Sequence, residues 1–220
     1  MIALIGRGTV GQALLAQRDF DCVFDSSNID TMGANHFESV VIAAPSGNRR
    51  TVNQNSAQDN RDVEQIVEAI RRVRPPRCIL FSSVDAVVLP HTAYGRNRKF
   101  LEQSLAGFTE LTVFRLSTLI GDTIKKNILY DIKHQQYTHE IDTGAWSQWC
   151  LLEDLSRLVD WAQPGQAVNI VSEPIQNQEL MQKFCSDVNS NYATHSVNYN
   201  LEPWCYTKQQ IFEAMEFYLQ

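Results

Sequence analysis

The sequence predicts an α/β protein built on a doubly wound parallel sheet, and three observations carry that expectation. Apolar runs of strand length alternate with helical patterns along the first half of the chain, as parallel strands joined by crossovers require. The first run, Met1 to Ile5, passes directly into Gly6-Arg7-Gly8-Thr9-Val10-Gly11 and then into the apolar Ala13-Leu14-Leu15, which sets a Gly-x-Gly-x-x-Gly turn between strand and helix. That context makes the sheet Rossmann-like. At 220 residues and 44% hydrophobic, the chain can bury one sizeable core but not two.

The remaining strands are expected at Cys22 to Asp25, Ser39 to Ala43, Cys78 to Ser82 and Thr112 to Leu116. Val63, Ile66, Val67, Ile70 and Val73 recur at helical spacing, and Pro75-Pro76 ends that helix before the fourth strand. Only about a dozen residues separate the second and third strands, room for a short crossover begun by Ser27 or Asn28. Beyond Leu116 the pattern loosens. Helices are expected around Thr123 to His134, Glu153 to Ala162 and Asn177 to Cys185, with a strand at Ala167 to Val171 and an aromatic segment Trp146-Ser147-Gln148-Trp149. A closing helix within Tyr206 to Leu219 starts near Thr207 and puts Ile211, Met215 and Tyr218 on one face. No Pro/Gly linker interrupts the chain. Residues 1–220 therefore read as one domain, to which residues 117–220 contribute a small interwoven C-terminal region for substrate.

A net charge of −6 without a basic stripe argues against nucleic acid as a partner. Five scattered cysteines without Cys-x-x-Cys spacing read as reduced thiols, mostly buried, of a cytoplasmic protein. No apolar run reaches the length of a membrane span, so no membrane partner is expected. His36, His91, His134, His139 and His195 show no ligand spacing, and no metal is expected.

Chemistry is expected where parallel strands end. Gly6 takes the tight turn, Gly8 lets the backbone approach a pyrophosphate, and Gly11 lets the helix lie close to the sheet, so that Gly6, Arg7, Gly8, Thr9, Val10 and Gly11 form a dinucleotide cradle. Asp25, at the end of the second strand, can accept hydrogen bonds from a ribose and repel a 2′-phosphate, which favours NAD; Arg7 could meet a 2′-phosphate instead, and Asp25 as a plain turn residue is the competing account. Ala43-Ala44-Pro45-Ser46-Gly47 offers small residues for close approach of a ring or ribose, or is a simple loop. Next come Ser82-Ser83-Val84-Asp85 at a strand end and Tyr94-Gly95-Arg96-Asn97-Arg98 opening a helix. A hydroxyl, a tyrosine and a cation one turn on suit proton transfer coupled to hydride transfer; the competing account has Ser82 and Ser83 satisfying backbone groups, Tyr94 half-buried on its helix and Arg98 solvated. Arg49 and Arg50 are candidates for substrate phosphates or are merely solvated. Arg115, which interrupts an apolar strand end, is either a substrate contact or half of a structural ion pair.

Taken in order, these segments resemble the extended short-chain dehydrogenase/reductase family of NAD-dependent sugar-nucleotide epimerases, dehydratases and reductases. Phe114-Arg115-Leu116-Ser117-Thr118-Leu119-Ile120-Gly121, Trp149-Cys150-Leu151-Leu152-Glu153-Asp154-Leu155 and Val168-Asn169-Ile170 extend the likeness into the second half. The resemblance implies NAD or NADP as coenzyme and a small-molecule substrate of nucleotide-sugar type. It gives Ser83 the substrate oxygen, Tyr94 the acid/base role, and Arg98 the place of the family's lysine. Asp85 and Arg115 are the candidate substrate contacts, and the resemblance further implies a homodimer through a face bearing Phe100, Leu101 and Leu105, a pattern that core packing explains equally. A single carboxylate after the serines favours an epimerase or reductase over a dehydratase. Arginine cannot pass a proton along a relay, which leaves a second function open: a non-catalytic coenzyme-binding regulator or scaffold. Reduction of small quinones or aldehydes is a third.

Overall fold

The computed structural model describes residues 1–34, 36–45, 47–185 and 197–220, so the expected Ser46 and His195 lie outside the described residues. Two compact units are present. One comprises Met1–Leu116 with Glu153–Val168, and the other Ser117–Leu152 with Asn169–Gln220; the chain passes between them after Leu116, Leu152 and Val168.

In the first unit the order is β1 (Ile2–Ile5), α1 (Thr9–Gln17), β2 (Cys22–Phe24), a 3-10 turn over Ile29–Ala34, β3 (Ser39–Ile42), α2 (Arg49–Gln54), α3 (Ala57–Val73), β4 (Arg77–Ser83), α4 (Asp85–Val88), α5 (Ala93–Ala106) and β5 (Glu110–Leu116). The second unit contains β6 (Thr118–Ile120), α6 (Ile128–Lys133), β7 (Trp146–Ser147) and β8 (Trp149–Leu151). The chain continues with α7 (Leu155–Trp161), β9 (Ala167–Ile170), β10 (Ile175–Gln176), α8 (Asn177–Phe184) and α9 (Lys208–Leu219).

The main sheet has the order β2-β1-β3-β4-β5-β9, and β1 to β5 pair in parallel throughout. Ile5 stands opposite both Phe24 and Ile42, so β1, β2 and β3 end at one level. The order reverses at β1, and a crevice opens at the carboxyl ends on either side of such a switch. The expected strands are thus present to within a residue or two at their ends. β2 stands at one edge of this sheet.

Helix α3 buries Val63, Ile66, Ala69 and Ile70 against Val40, Ile42, Cys78 and Leu80 of the sheet and Leu101 and Leu105 of α5. It ends as expected before Pro75, with Arg74 in the left-handed region at φ 47°. Leu101 and Leu105 are 1% and 0% exposed, because they face α3 and the sheet. Of the expected dimer face only Phe100, 51% exposed, stands outward.

The expected crossover after β2 forms as a 3-10 turn. The Asn28 side chain accepts from the Asp25 N–H at 2.7 Å, and the Ile29 N–H reaches back to the Asp25 carbonyl at 2.9 Å. The helix expected over Thr123 to His134 is confined to α6. Asn127 donates to the Leu119 carbonyl at 2.8 Å and accepts from the Tyr130 N–H at 2.9 Å, so it begins the helix where the pattern alone would run through it. In the second unit β6 pairs in parallel with β8 and β7 antiparallel with β10. Gln148, fully buried between β7 and β8, donates to the Ser172 and Leu201 carbonyls and accepts from the Leu201 N–H. Trp149 is buried, whereas Trp146, Trp161 and Trp204 are exposed. Helix α9 opens with a capping box in which Thr207 and Gln210 each bond the other's backbone N–H.

Two of the turn glycines have no room for a side chain. A Cβ on Gly11 would stand 2.0 Å from the Gly6 carbonyl oxygen, and one on Gly6, at φ +112°, 2.4 Å from that of Ala43. A Cβ on Gly8 would meet nothing within 4 Å. Gly11→Ala is therefore expected to cost about 3 kcal/mol in urea denaturation, since backbone rather than a flexible side chain must yield, whereas Gly8→Ala costs less than about 1 kcal/mol.

Candidate functional site

The glycine turn is fixed on both sides by the sheet. The Gly6 N–H donates to the Phe24 carbonyl at 2.8 Å and the Ala43 N–H to the Ile5 carbonyl at 2.7 Å, so the turn sits between the ends of β2 and β3. The Ala44 methyl would lie 3.1 Å from a Cβ on Gly6, a contact that only small residues on both sides permit. Helix α1 then begins at Gly8, which supplies no side-chain cap. Gly8 makes no side-chain cap bond and leaves open space, so the backbone N–H groups at this helix end suit an anion. Gly6, Gly11, Ala43 and Ala44 lie against one another at this junction, with Gly8 at the helix start beside it.

Asp25 follows β2 beside this turn. Its Oδ1 accepts from the Ser27 N–H at 2.9 Å and the Ser27 hydroxyl at 2.5 Å, while Oδ2 faces Arg7 Nε at 3.3 Å. The Ser27 hydroxyl and backbone N–H hold the carboxyl below its ordinary value, with Arg7 adding in the same direction and desolvation opposing. Ser27 and Arg7 were not distinguishable as its partners from spacing alone.

Tyr94 stands in the first turn of α5, 8% exposed. Thr92 caps that helix by accepting from the Gly95 N–H at 3.1 Å, and Asn53 of α2 accepts from the Tyr94 N–H at 2.9 Å. A Cβ on Gly95 would stand 2.1 Å from the Leu89 carbonyl oxygen, so glycine next to Tyr94 is what lets the end of α4 lie against α5. The Tyr94 hydroxyl lies 3.6 Å from the position a Cβ on Gly47 would take, which brings it to the loop after β3.

The two serines of β4 point to opposite faces, as strand alternation dictates. Ser82 donates to Glu102 Oε1 at 2.6 Å in the interior. Ser83, half-buried at the strand end, accepts from the Asp85 N–H at 3.2 Å. Asp85 is 2% exposed, and its Oδ2 lies 3.4 Å from Nη1 of the half-exposed Arg49. Arg49, expected at a substrate phosphate or in solvent, thus meets a buried carboxylate.

Arg98 and Arg115 each hold a carboxylate. Arg115 grips Glu102 through Nε, at 3.1 Å to both oxygens, and through Nη2 at 2.8 Å. This is the ion pair that competes with its substrate role. Arg98, 3% exposed, places Nη2 2.6 Å from Asp59 Oδ1, and its guanidinium carbon lies 4.5 Å from the centre of the Tyr94 ring. Asn97 donates to the other Asp59 oxygen at 2.7 Å. Sequence reading missed Asn53, Asp59 and Glu102. Their only signal was being polar on helix faces that bury apolar neighbours, and that does not name a partner.

Among the described residues no group of three or more His, Cys, Asp or Glu is placed to hold a metal ion, and no helix is long and apolar enough to cross a membrane. Cys78 and Cys150 are buried, Cys22 and Cys185 partly so, and Cys205 is exposed.

No protein-family model and no curated protein sequence matches this chain. Solved structures do. The chain is similar to dTDP-4-dehydrorhamnose reductase from Yersinia enterocolitica over 99% of its own length and 98% of that chain, with a TM-score of 0.72 and 14% identity. MoeE5, solved in complex with UDP-glucose and NAD, matches over 99% and 97% at a TM-score of 0.71 and 12% identity. UDP-glucose 4-epimerase from Thermotoga maritima, solved with UDP-glucose, matches over 92% and 86% at 0.70 and 13%. The chain therefore has the Rossmann-like α/β fold of these epimerases and reductases.

A carboxyl depressed in the folded state adds stability above its unfolded value and loses it as pH falls through the folded one. Ser27→Ala removes the larger cause. Its Asp25 carboxyl resonance is expected to titrate at higher pH than in the parent protein, by NMR, with the fold unchanged.

Proposed function

We propose that this chain is a nicotinamide-coenzyme-dependent oxidoreductase or epimerase acting on a nucleotide sugar, with Tyr94 as the acid/base. The observation that carries the reading is the glycine turn: Gly6 and Gly11 have no room for a Cβ, while Gly8 leaves space at an uncapped helix N-terminus. Such a cradle fits a pyrophosphate. Similar folds bind the matching ligands, since MoeE5 was solved with UDP-glucose and NAD and WbmH from Bordetella bronchiseptica with NAD+.

The turn and the start of α1 would hold the pyrophosphate. Asp25, pinned by Ser27, would accept the adenosine ribose hydroxyls and repel a 2′-phosphate, which favours NAD, while Ala43, Ala44 and Pro45 allow close approach beside β3. The bound coenzyme supplies a hydride acceptor or donor. Tyr94 exchanges the proton of the reacting hydroxyl at its own phenolic oxygen, and Ser83 donates its hydroxyl hydrogen to the substrate oxygen. Asp85, buried with Arg49 at its side, would hold that half-exposed arginine for the substrate. Arg115 steadies Glu102 beneath this end of β4. Cysteines that form no disulfide suit work in the cytoplasm.

A coenzyme-binding scaffold without chemistry is the second reading. It is favoured by Arg98, which sits buried on Asp59 where the resemblance expects a lysine that assists proton transfer.

Thermal unfolding with NAD, NADH, NADP and NADPH separates these from having no coenzyme at all. A coenzyme at 100 times its Kd should stabilise by about 2.7 kcal/mol, and the shift should come with NAD and NADH. Tyr94→Phe should keep that shift and lower turnover of UDP-glucose by about a hundredfold or more. Stabilisation without turnover in the parent protein supports the scaffold, and no shift with any of the four, in protein free of carried-over coenzyme, refutes both readings.

A further inference from the structure

We propose that Asp59 is a positioning residue for Tyr94: by capturing Arg98 it fixes a cation against the tyrosine ring and keeps it from gripping the coenzyme ribose. The inference rests on the proposed role of Tyr94, and it replaces the place the resemblance gives to Arg98. The Arg98 and Asp59 side chains are deeply buried, each 4% exposed when the side chain alone is counted, and their contact of 2.6 Å is charge-assisted. Asp59 lies in the first turn of α3 and Arg98 one turn after Tyr94 on α5, so the pair ties two helices together directly behind the ring.

Stability alone is a poor account of such a pair. Apolar residues of similar volume would pack these helices at no loss, because each buried charge gives up its hydration. What the pair achieves that leucines could not is a cation held 4.5 Å from the Tyr94 ring centre, where the π face attracts it. Asn97 completes the arrangement. It occupies the second Asp59 oxygen at 2.7 Å and also donates to Asn60 Oδ1 at 2.6 Å, so the carboxylate cannot turn away from Arg98. The other end of the tyrosine's turn is held by Asn53 through the Tyr94 N–H. The ring is thus located from behind by the Asp59–Arg98 pair and from the helix start by Asn53.

The test reads the guanidinium and the ring themselves. In isotope-labelled protein the Arg98 guanidinium resonance should be shifted upfield by the tyrosine ring and exchange at least about tenfold more slowly than exposed arginines. Tyr94→Leu should abolish the shift, Asp59→Asn should abolish shift and protection, and Asp59→Glu should restore both. Asp59→Asn strands a buried cation, so Arg98→Met is read in parallel: it should let the Tyr94 ring flip at least about tenfold faster while the Kd for NADH stays within about twofold. A guanidinium unaffected by Asp59→Asn, a ring unaffected by Arg98→Met, or a tenfold loss of NADH affinity on Arg98→Met would each overturn the proposal. Absence of NADH binding in the parent protein would instead count against the coenzyme reading, and the resonances would still decide the role of Asp59.

Discussion

Backbone meets backbone without intervening side chains at the junction of β1, α1 and β3. The start of α1 rests on the Gly6 carbonyl, and Gly6 in turn rests on the Ala43 carbonyl, at separations that exclude even a methyl group. Because β1, β2 and β3 end at one level, this contact sets where the helix begins relative to the strand ends. It also decides which groups can share the crevice. Asp25 arrives from β2 and the small residues Ala43 and Ala44 from β3, and neither would face the turn if α1 were displaced by a side chain's width.

A second organising element is α5, which carries polar groups into the interior on one face and apolar ones on another. Leu101 and Leu105 anchor it in the core. Glu102 joins Ser82 to Arg115 at the end of β4 and β5, and Arg98 joins Asp59. The Arg98–Asp59 pair is the fully buried one, and breaking it from one side would leave an uncompensated charge at a cost of about 3–5 kcal/mol. The consequence for function is directional. Tyr94 and Ser83 have their positions set by Gly95, Asn53, Thr92 and the strand end, while the arginines that looked available for substrate are bound to carboxylates.

The features legible in the sequence are those set by local rules. The glycine turn, the five parallel strands, the stop at Pro75-Pro76 and the Thr207 start of α9 each follow from a pattern within a few residues. The fate of a charged residue does not. Arg98 reads as chemistry because it lies one turn after Tyr94, and Arg115 because it interrupts an apolar strand end, but their partners Asp59 and Glu102 lie 39 and 13 residues away in sequence. Asn127 shows the same limit on a shorter scale: its side chain bonds backbone eight residues before and three after, which cuts an otherwise helical pattern in two. Short helices such as α2 and α4 escaped because four to six residues carry too little periodicity to register.

In the proposed complex a dinucleotide lies along the ends of β1, β2 and β3 with its pyrophosphate at Gly8. The most direct measurement is the change in backbone amide resonances as NADH is titrated into labelled protein. Progressive shifts centred on Gly6 to Gly11 are expected, with Asp25, Ala43 and Ala44 following at the same apparent Kd. Saturable shifts confined to other surfaces, with the glycine turn unmoved, would contradict this placement.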